Sequence, residues 1–138
     1  MATTVSDVLS PDIMTISAVK TVRDAAELMR AADVGALVVT EGGQLVGLVT
    51  DRDLVVRVLA EGGGPDTQVR VACSPDLVTV SPDDDVADAA RVMAQHTVRR
   101  LPVVSGDKVI GIVSLGDLAQ ASDPDSVLGQ VSGGRPNS

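Results

Sequence analysis

Apolar and polar positions along this chain change rhythm in a fixed order, and the order occurs twice. "DIMTI" (Asp12–Ile16) and "DLVTV" (Asp76–Val80) are short runs rich in branched residues, the composition of brief strands. After each run the apolar spacing becomes helical. Val22, Ala25, Ala26 and Met29 fall on one helix face, and Val86, Ala89, Ala90 and Met93 do the same. In the second case "SPDDDV" supplies a helix start. Ser81 is placed as N-cap and Pro82 in the first turn, with Asp83, Asp84 and Asp85 at the positive end of the helix dipole.

Nearly continuous apolar runs then predict a β-hairpin covered on both faces. "GALVV", "TEGGQ" and "LVGLVT" form the first. "RRLPVV", "SGDK" and "VIGIVS" form the second. The pairs Gly42-Gly43 and Gly106-Asp107 are assigned the positive φ angles of tight turns. A second helix is expected to start at Thr50 and again at Ser114. The unit reads β-α-β-β-α.

The two copies are related by a constant offset of 64 positions. From Ser10–Leu54 against Ser74–Leu118 no gap is needed, and 18 of the 45 aligned positions are identical. The chain is therefore a duplicated unit. The linear division is residues 1–62 for the first repeat and 63–122 for the second, with "EGGGPD" (Glu61–Asp66) as the joint. Residues 123–138 are left as a short helix around Ser126–Val131 and a disordered tail. Each half is about 60 residues, near the lower limit for an independent core.

Composition narrows the function. The 138 residues contain no Phe, Tyr or Trp, so the core is aliphatic and no ring is available to stack on a flat ligand. A net charge of −8 argues against nucleic acid and against anionic membrane surfaces. Cys73 is the only cysteine, which suits a reducing cytoplasm. The opening "MATTVSDVLSPDI" lacks the basic-then-apolar pattern of a secretion signal, and no apolar run reaches the ~20 residues of a membrane helix. One His and one Cys assemble no nucleophile–base pair, so an enzyme is not expected. His96 sits at a helix end. Asp83–Asp85 lacks the spacing of a Ca²⁺ loop, and no metal is expected.

The most informative stretch is "GLVTDRDL" (Gly47–Leu54), repeated as "GIVSLGDL" (Gly111–Leu118). Two readings of it stand side by side. Thr-x-x-Asp and Ser-x-x-Asp at a helix start form capping boxes. The same geometry suits a nucleotide: a helix N-terminus with a hydroxyl cradles phosphate, and a carboxylate one turn in accepts two bonds from a ribose diol. Gly47 and Gly111 would admit a ligand or a neighbouring backbone.

Over residues 5 to 122 the repeat resembles the cystathionine-β-synthase (CBS) domain, two of which form a CBS pair or Bateman module. The family's ligand signature is glycine, two apolar residues, Thr or Ser, two variable residues and Asp. Gly47–Asp53 and Gly111–Asp117 both match it in full. The resemblance implies a mixed α/β fold, an α+β sandwich of two tandem repeats with pseudo-twofold symmetry. It implies that Asp53 and Asp117 hold ribose and that Thr50 and Ser114 face phosphate. Ile16 to Ala18 and Val80 to Pro82 would line the adenine slot, together with Gly35 and Ala36 at the hairpin entrance. At that entrance the second repeat has Arg99 and Arg100, assigned to phosphate, so the phosphate-binding charge is asymmetric.

The implied function is a non-catalytic sensor. It would take an adenosine-type small molecule (AMP, ADP, ATP or S-adenosylmethionine) in the cleft between the repeats and signal to a protein target in trans, with no cofactor required. The alternative is a dimerisation scaffold with vestigial clefts. A homodimer is expected in either case, through Leu54, Val55, Val58 and Leu59 and through Leu118 and Ala119.

Overall fold

The computed structural model describes residues 3–73 and 77–122. The described residues divide into two compact units, one within 14–77 and one that combines 3–13 with 78–122.

In the first unit, strand β1 (Thr15–Ser17) pairs parallel with β2 (Ala36–Glu41), which pairs antiparallel with β3 (Gln44–Thr50). Helix α1 (Val22–Ala32) makes the crossover between β1 and β2. Thr21 starts it with a closed capping box: Thr21 Oγ1 accepts from Asp24 N at 3.1 Å, and Thr21 N donates to Asp24 Oδ2 at 3.2 Å. The bond from the Thr21 backbone holds the Asp24 carboxyl below its ordinary value. Asp33, left-handed at φ 55°, ends the helix. Val22, Ala25 and Met29 face the core as the spacing predicts, but Ala26 is exposed.

After β3 the chain turns into α2 (Asp51–Asp53), which continues without a break as a π-helical stretch, Leu54–Leu59. The wider turn is visible in the bond from Ala60 N to Val55 O at 2.8 Å. Val58 points into the core, while Val55, Val56 and Leu59 are exposed. Helix α3 (Val69–Ala72) then packs Val69, Ala72 and Cys73 into the same core as Ile16, Leu37 and Val49.

The second unit has α4 (Val86–His96), the antiparallel pair β4 (Arg100–Ser105) and β5 (Lys108–Ser114), and α5 (Leu115–Ser122). Val5, Met93, Leu101, Val103, Val113 and Leu118 are among its buried residues. Its N-terminal segment, with a 3-10 turn at Val5–Asp7, is a strap across this unit. Val5 N donates to Asp84 O at 2.8 Å and Ser6 N to Pro82 O at 3.0 Å. Ser10 exchanges two backbone bonds with Ile112, 2.8 and 3.0 Å. Val5 is fully buried.

The structure departs from the linear reading in three places, and the strap accounts for the second of them. First, residues 3–13 fold with the second repeat, and Val69–Cys73 with the first, so the compact units do not follow the cut at residue 62/63. Second, the N-cap of α4 is Asp85, not Ser81. Ser81 to Asp84 closes as a turn of its own, with Ser81 N on Asp84 Oδ2 at 2.9 Å, and its carbonyls accept from the strap instead of from helix amides. Val86 N donates to Thr3 O at 3.1 Å. Third, of the expected strand Asp76–Val80 the described part keeps a single parallel bridge between Val80 and Val103, because Pro102 stands where Val38 in the first repeat donates its amide to Met14 O at 2.9 Å; Asp76 lies outside the described residues.

Elsewhere the first strand starts three residues later than expected and ends one residue later. The hairpins turn at the expected glycines, with Gly42, Gly43 and Gly106 at positive φ, whereas Asp107 does not share that conformation. Ser126–Val131 and the tail lie outside the described residues.

Candidate functional site

Both signature motifs sit where a hairpin strand ends and a helix begins. Thr50 Oγ1 accepts from Asp53 N at 3.1 Å, and Thr50 N donates to Asp53 Oδ2 at 2.9 Å. The second copy repeats this to within 0.1 Å: Ser114 Oγ accepts from Asp117 N at 3.1 Å, and Ser114 N donates to Asp117 Oδ2 at 2.9 Å. The capping reading is therefore correct as far as it goes. One carboxylate oxygen of each aspartate serves the helix start, and Oδ1 takes no part in the cap.

The hairpin entrance closes on the same junction. Ala36 lies opposite Thr50, and Arg100 opposite Ser114. Gly35 O accepts from Asp51 N at 3.0 Å, and Arg99 O from Leu115 N at 2.7 Å. The fold thus brings the backbone of Gly35 and Ala36 to Thr50, and that of Arg99 and Arg100 to Ser114. The Arg99 side chain is exposed and that of Arg100 half-buried. β1 lies across β2 from β3, so Ile16 and Ala18 are one strand removed from Thr50. Ile16, Ala18 and Val80 are buried in the cores of their units, which leaves backbone as what these positions offer a base; Pro82 is half-buried.

The two signature glycines differ. A methyl built on Gly111 would stand 2.6 Å from Ser10 O and 2.7 Å from Leu9 Cδ1, so Gly111 admits the strap. A methyl built on Gly47 would meet no described atom within 4 Å.

One residue escapes the sequence reading. Arg57 Nε reaches Asp53 Oδ1 at 3.3 Å. The i, i+4 spacing on one helix is the signal that finds it. Cys73 lies within electrostatic range of the pair. Burial, and then the negative charge of Asp53, push its thiol up to about 11 against a weaker opposite pull from Arg57, so it is protonated at neutral pH. His96 is exposed at the end of α4. Among the described residues no three His, Cys, Asp or Glu side chains are placed to hold a metal, and no helix is long and apolar enough to cross a membrane.

Comparison with known proteins agrees with this geometry. The CBS domain family model matches residues 5–60 and 69–123. The chain is 43% identical over 115 residues to the CBS domain-containing protein YhcV of Bacillus subtilis, covering 83% of this chain and 82% of that one. A putative signal-transduction protein with CBS domains from Burkholderia ambifaria superposes with a TM-score of 0.81 at 33% identity, over 90% of this chain and 96% of that one. The hexameric CBS-CP12 protein from bloom-forming cyanobacteria gives a TM-score of 0.79 at 29% identity, over 92% and 74%. With two matched repeats, mixed helix and strand content and both signatures in place, the chain belongs to the CBS domain family.

Proposed function

We propose that this protein is a regulatory sensor that binds an adenosine-containing ligand through its two strand-to-helix junctions and passes the signal to a partner in trans. CBS-domain proteins are as a rule regulatory, non-catalytic ligand-binding modules, which is the frame for the reading. The observation that carries it is the duplicated junction. Twice, a carboxylate is fixed by one oxygen to the last strand amide while the other lies outside the cap. A ribose diol needs an acceptor held in this way, because little side-chain entropy is then lost on binding. Arg99 and Arg100 lie at the second junction and supply cationic charge for phosphate. AMP, ADP, ATP and S-adenosylmethionine all carry the required adenosine.

A homodimer in the cytoplasm is part of the same proposal. Val55, Val56 and Leu59 are 55, 41 and 69% exposed on one π-helical stretch, more apolar surface than a short segment ordinarily leaves wet. The hexameric CBS-CP12 relative supports association in this family.

The scaffold reading has one observation in its favour. Thr4–Asp7, Thr21–Asp24 and Ser81–Asp84 make comparable turns outside any signature, so the box alone is no mark of a ligand. A thermal-shift screen with adenosine, AMP, ADP, ATP and S-adenosylmethionine, followed by turnover assays on each hit, separates the readings. Stabilisation without turnover supports the sensor. No shift with any compound rejects it in favour of the scaffold.

A further inference from the structure

The two junctions are alike in backbone and unlike in what meets the aspartate. The geometry points to Arg57 as an internal competitor for the ribose position at Asp53, making the first junction the weaker site and the second the stronger. This inference rests on the adenosine-binding reading above.

Asp53 has both oxygens engaged within its own unit. Oδ2 takes the Thr50 amide at 2.9 Å, and Oδ1 takes Arg57 Nε at 3.3 Å. The Asp53 side chain is only 16% exposed, against 43% for Arg57, so the guanidinium lies over a carboxylate already mostly withdrawn from water. A ribose diol arriving at Oδ1 must share or displace that ion pair. The counterpart of Arg57 at the 64-residue offset is Ala121, whose methyl reaches no carboxylate. Among the described residues no cation from the next turn of its own helix pairs with Asp117. The hairpin entrance reinforces the difference, since the second junction has Arg99 and Arg100 where the first has Gly35 and Ala36. In this chain the second repeat puts its cations at the phosphate side, and the first puts one on the ribose acceptor.

Uncharged adenosine isolates the effect, because it has no phosphate to attract arginine. Titration calorimetry in the Asp117→Ala background reads the first junction alone. Adding Arg57→Ala, or Arg57→Gln as a milder variant, should tighten adenosine binding there by about 2–5-fold, the range for a partly covered i, i+4 pair. If Asp117→Ala leaves binding too weak to titrate, the thermal shift given by one fixed, high adenosine concentration should be larger with the added Arg57 change than without it. A merely structural role for Arg57 would weaken binding instead. Raising salt from about 0.05 M to about 0.5 M should also tighten adenosine binding when Arg57 is present and have no effect when it is absent, because salt screens the internal pair.

Equal or weaker binding in the double variant overturns the inference while leaving the adenosine reading intact, provided the wild type still binds through Asp117. No binding of adenosine or AMP to the wild type or any variant overturns the adenosine reading, and this inference with it.

Discussion

Replacing Gly111 by alanine sets a methyl group against the N-terminal strap. The new Cβ would lie 2.6 Å from Ser10 O, 2.7 Å from Leu9 Cδ1 and 3.3 Å from Ser10 C. The leucine methyl can rotate away, but the Ser10 carbonyl cannot. It sits between two backbone bonds to Ile112, 2.8 and 3.0 Å long. Either the strap lifts and those bonds stretch, or β5 bends. Overpacking of this kind costs about 1–3 kcal/mol, and weakening two hydrogen bonds adds about 1–2 kcal/mol. Against this, alanine gains about 0.5–1 kcal/mol over glycine in a strand. The expected net loss is about 1–4.5 kcal/mol, read as a lowered urea midpoint with an unchanged slope. Adding Leu9→Ala should recover none of the backbone part, so the double variant stays at least as unstable. A Gly111→Ala protein within about 0.5 kcal/mol of wild type would refute the contact and the placement of the strap.

Two further outcomes follow from burial. Val5→Ala should cost about 1.5–3 kcal/mol, two methylene equivalents plus a cavity, because Val5 is fully buried and the strap completes the second core; urea unfolding checks it, and a loss below about 0.5 kcal/mol would mean the strap is not part of that core. Cys73 has a folded value of about 11 against an ordinary 9.0, so the buried thiol favours folding fully below pH 9, and its contribution is lost as pH rises toward 11. The loss, on the order of 2–3 kcal/mol over that window, should vanish in Cys73→Val; the same alkaline slope in both proteins would contradict it.

The offset of 64 made the repeat, both helix faces and both hairpins legible, because aliphatic spacing and paired turn residues act locally. Thr50 and Ser114 were legible as helix starts for the same reason. What the pattern hides is tertiary. "SPDDDV" contains a good capping residue, yet the helix starts at Asp85, since the strap from Thr3 to Ser6 takes the carbonyls and the amide around it. Glu61–Asp66 is a proper turn region but not the boundary of the core, because Val69 and Cys73 find their apolar partners behind it. The π-helical course of Leu54–Leu59 has no local signature at all. At the junctions the residue types and their spacing were readable. The ion pair from Arg57 to Asp53 was readable in principle from its i, i+4 spacing but carries no weight until the helix is known to run on past Asp53.

The central claim is that Asp53 and Asp117 hold an adenosine-containing ligand as well as capping helices. Calorimetric titration of AMP into the wild type, Asp53→Ala, Asp117→Ala and the double variant tests it most directly, with urea unfolding of each variant run alongside. A charge-assisted bond to a carboxylate is worth roughly 1.5–3 kcal/mol, so loss of the acceptor should weaken its site at least ~10-fold. The account predicts AMP binding in the wild type, the larger loss from Asp117→Ala, and binding at least ~10-fold weaker than wild type in a double variant that still unfolds cooperatively. AMP affinity unchanged in the double variant, with only the cap's share of about 0.5–2 kcal/mol per helix missing from its stability, would contradict it.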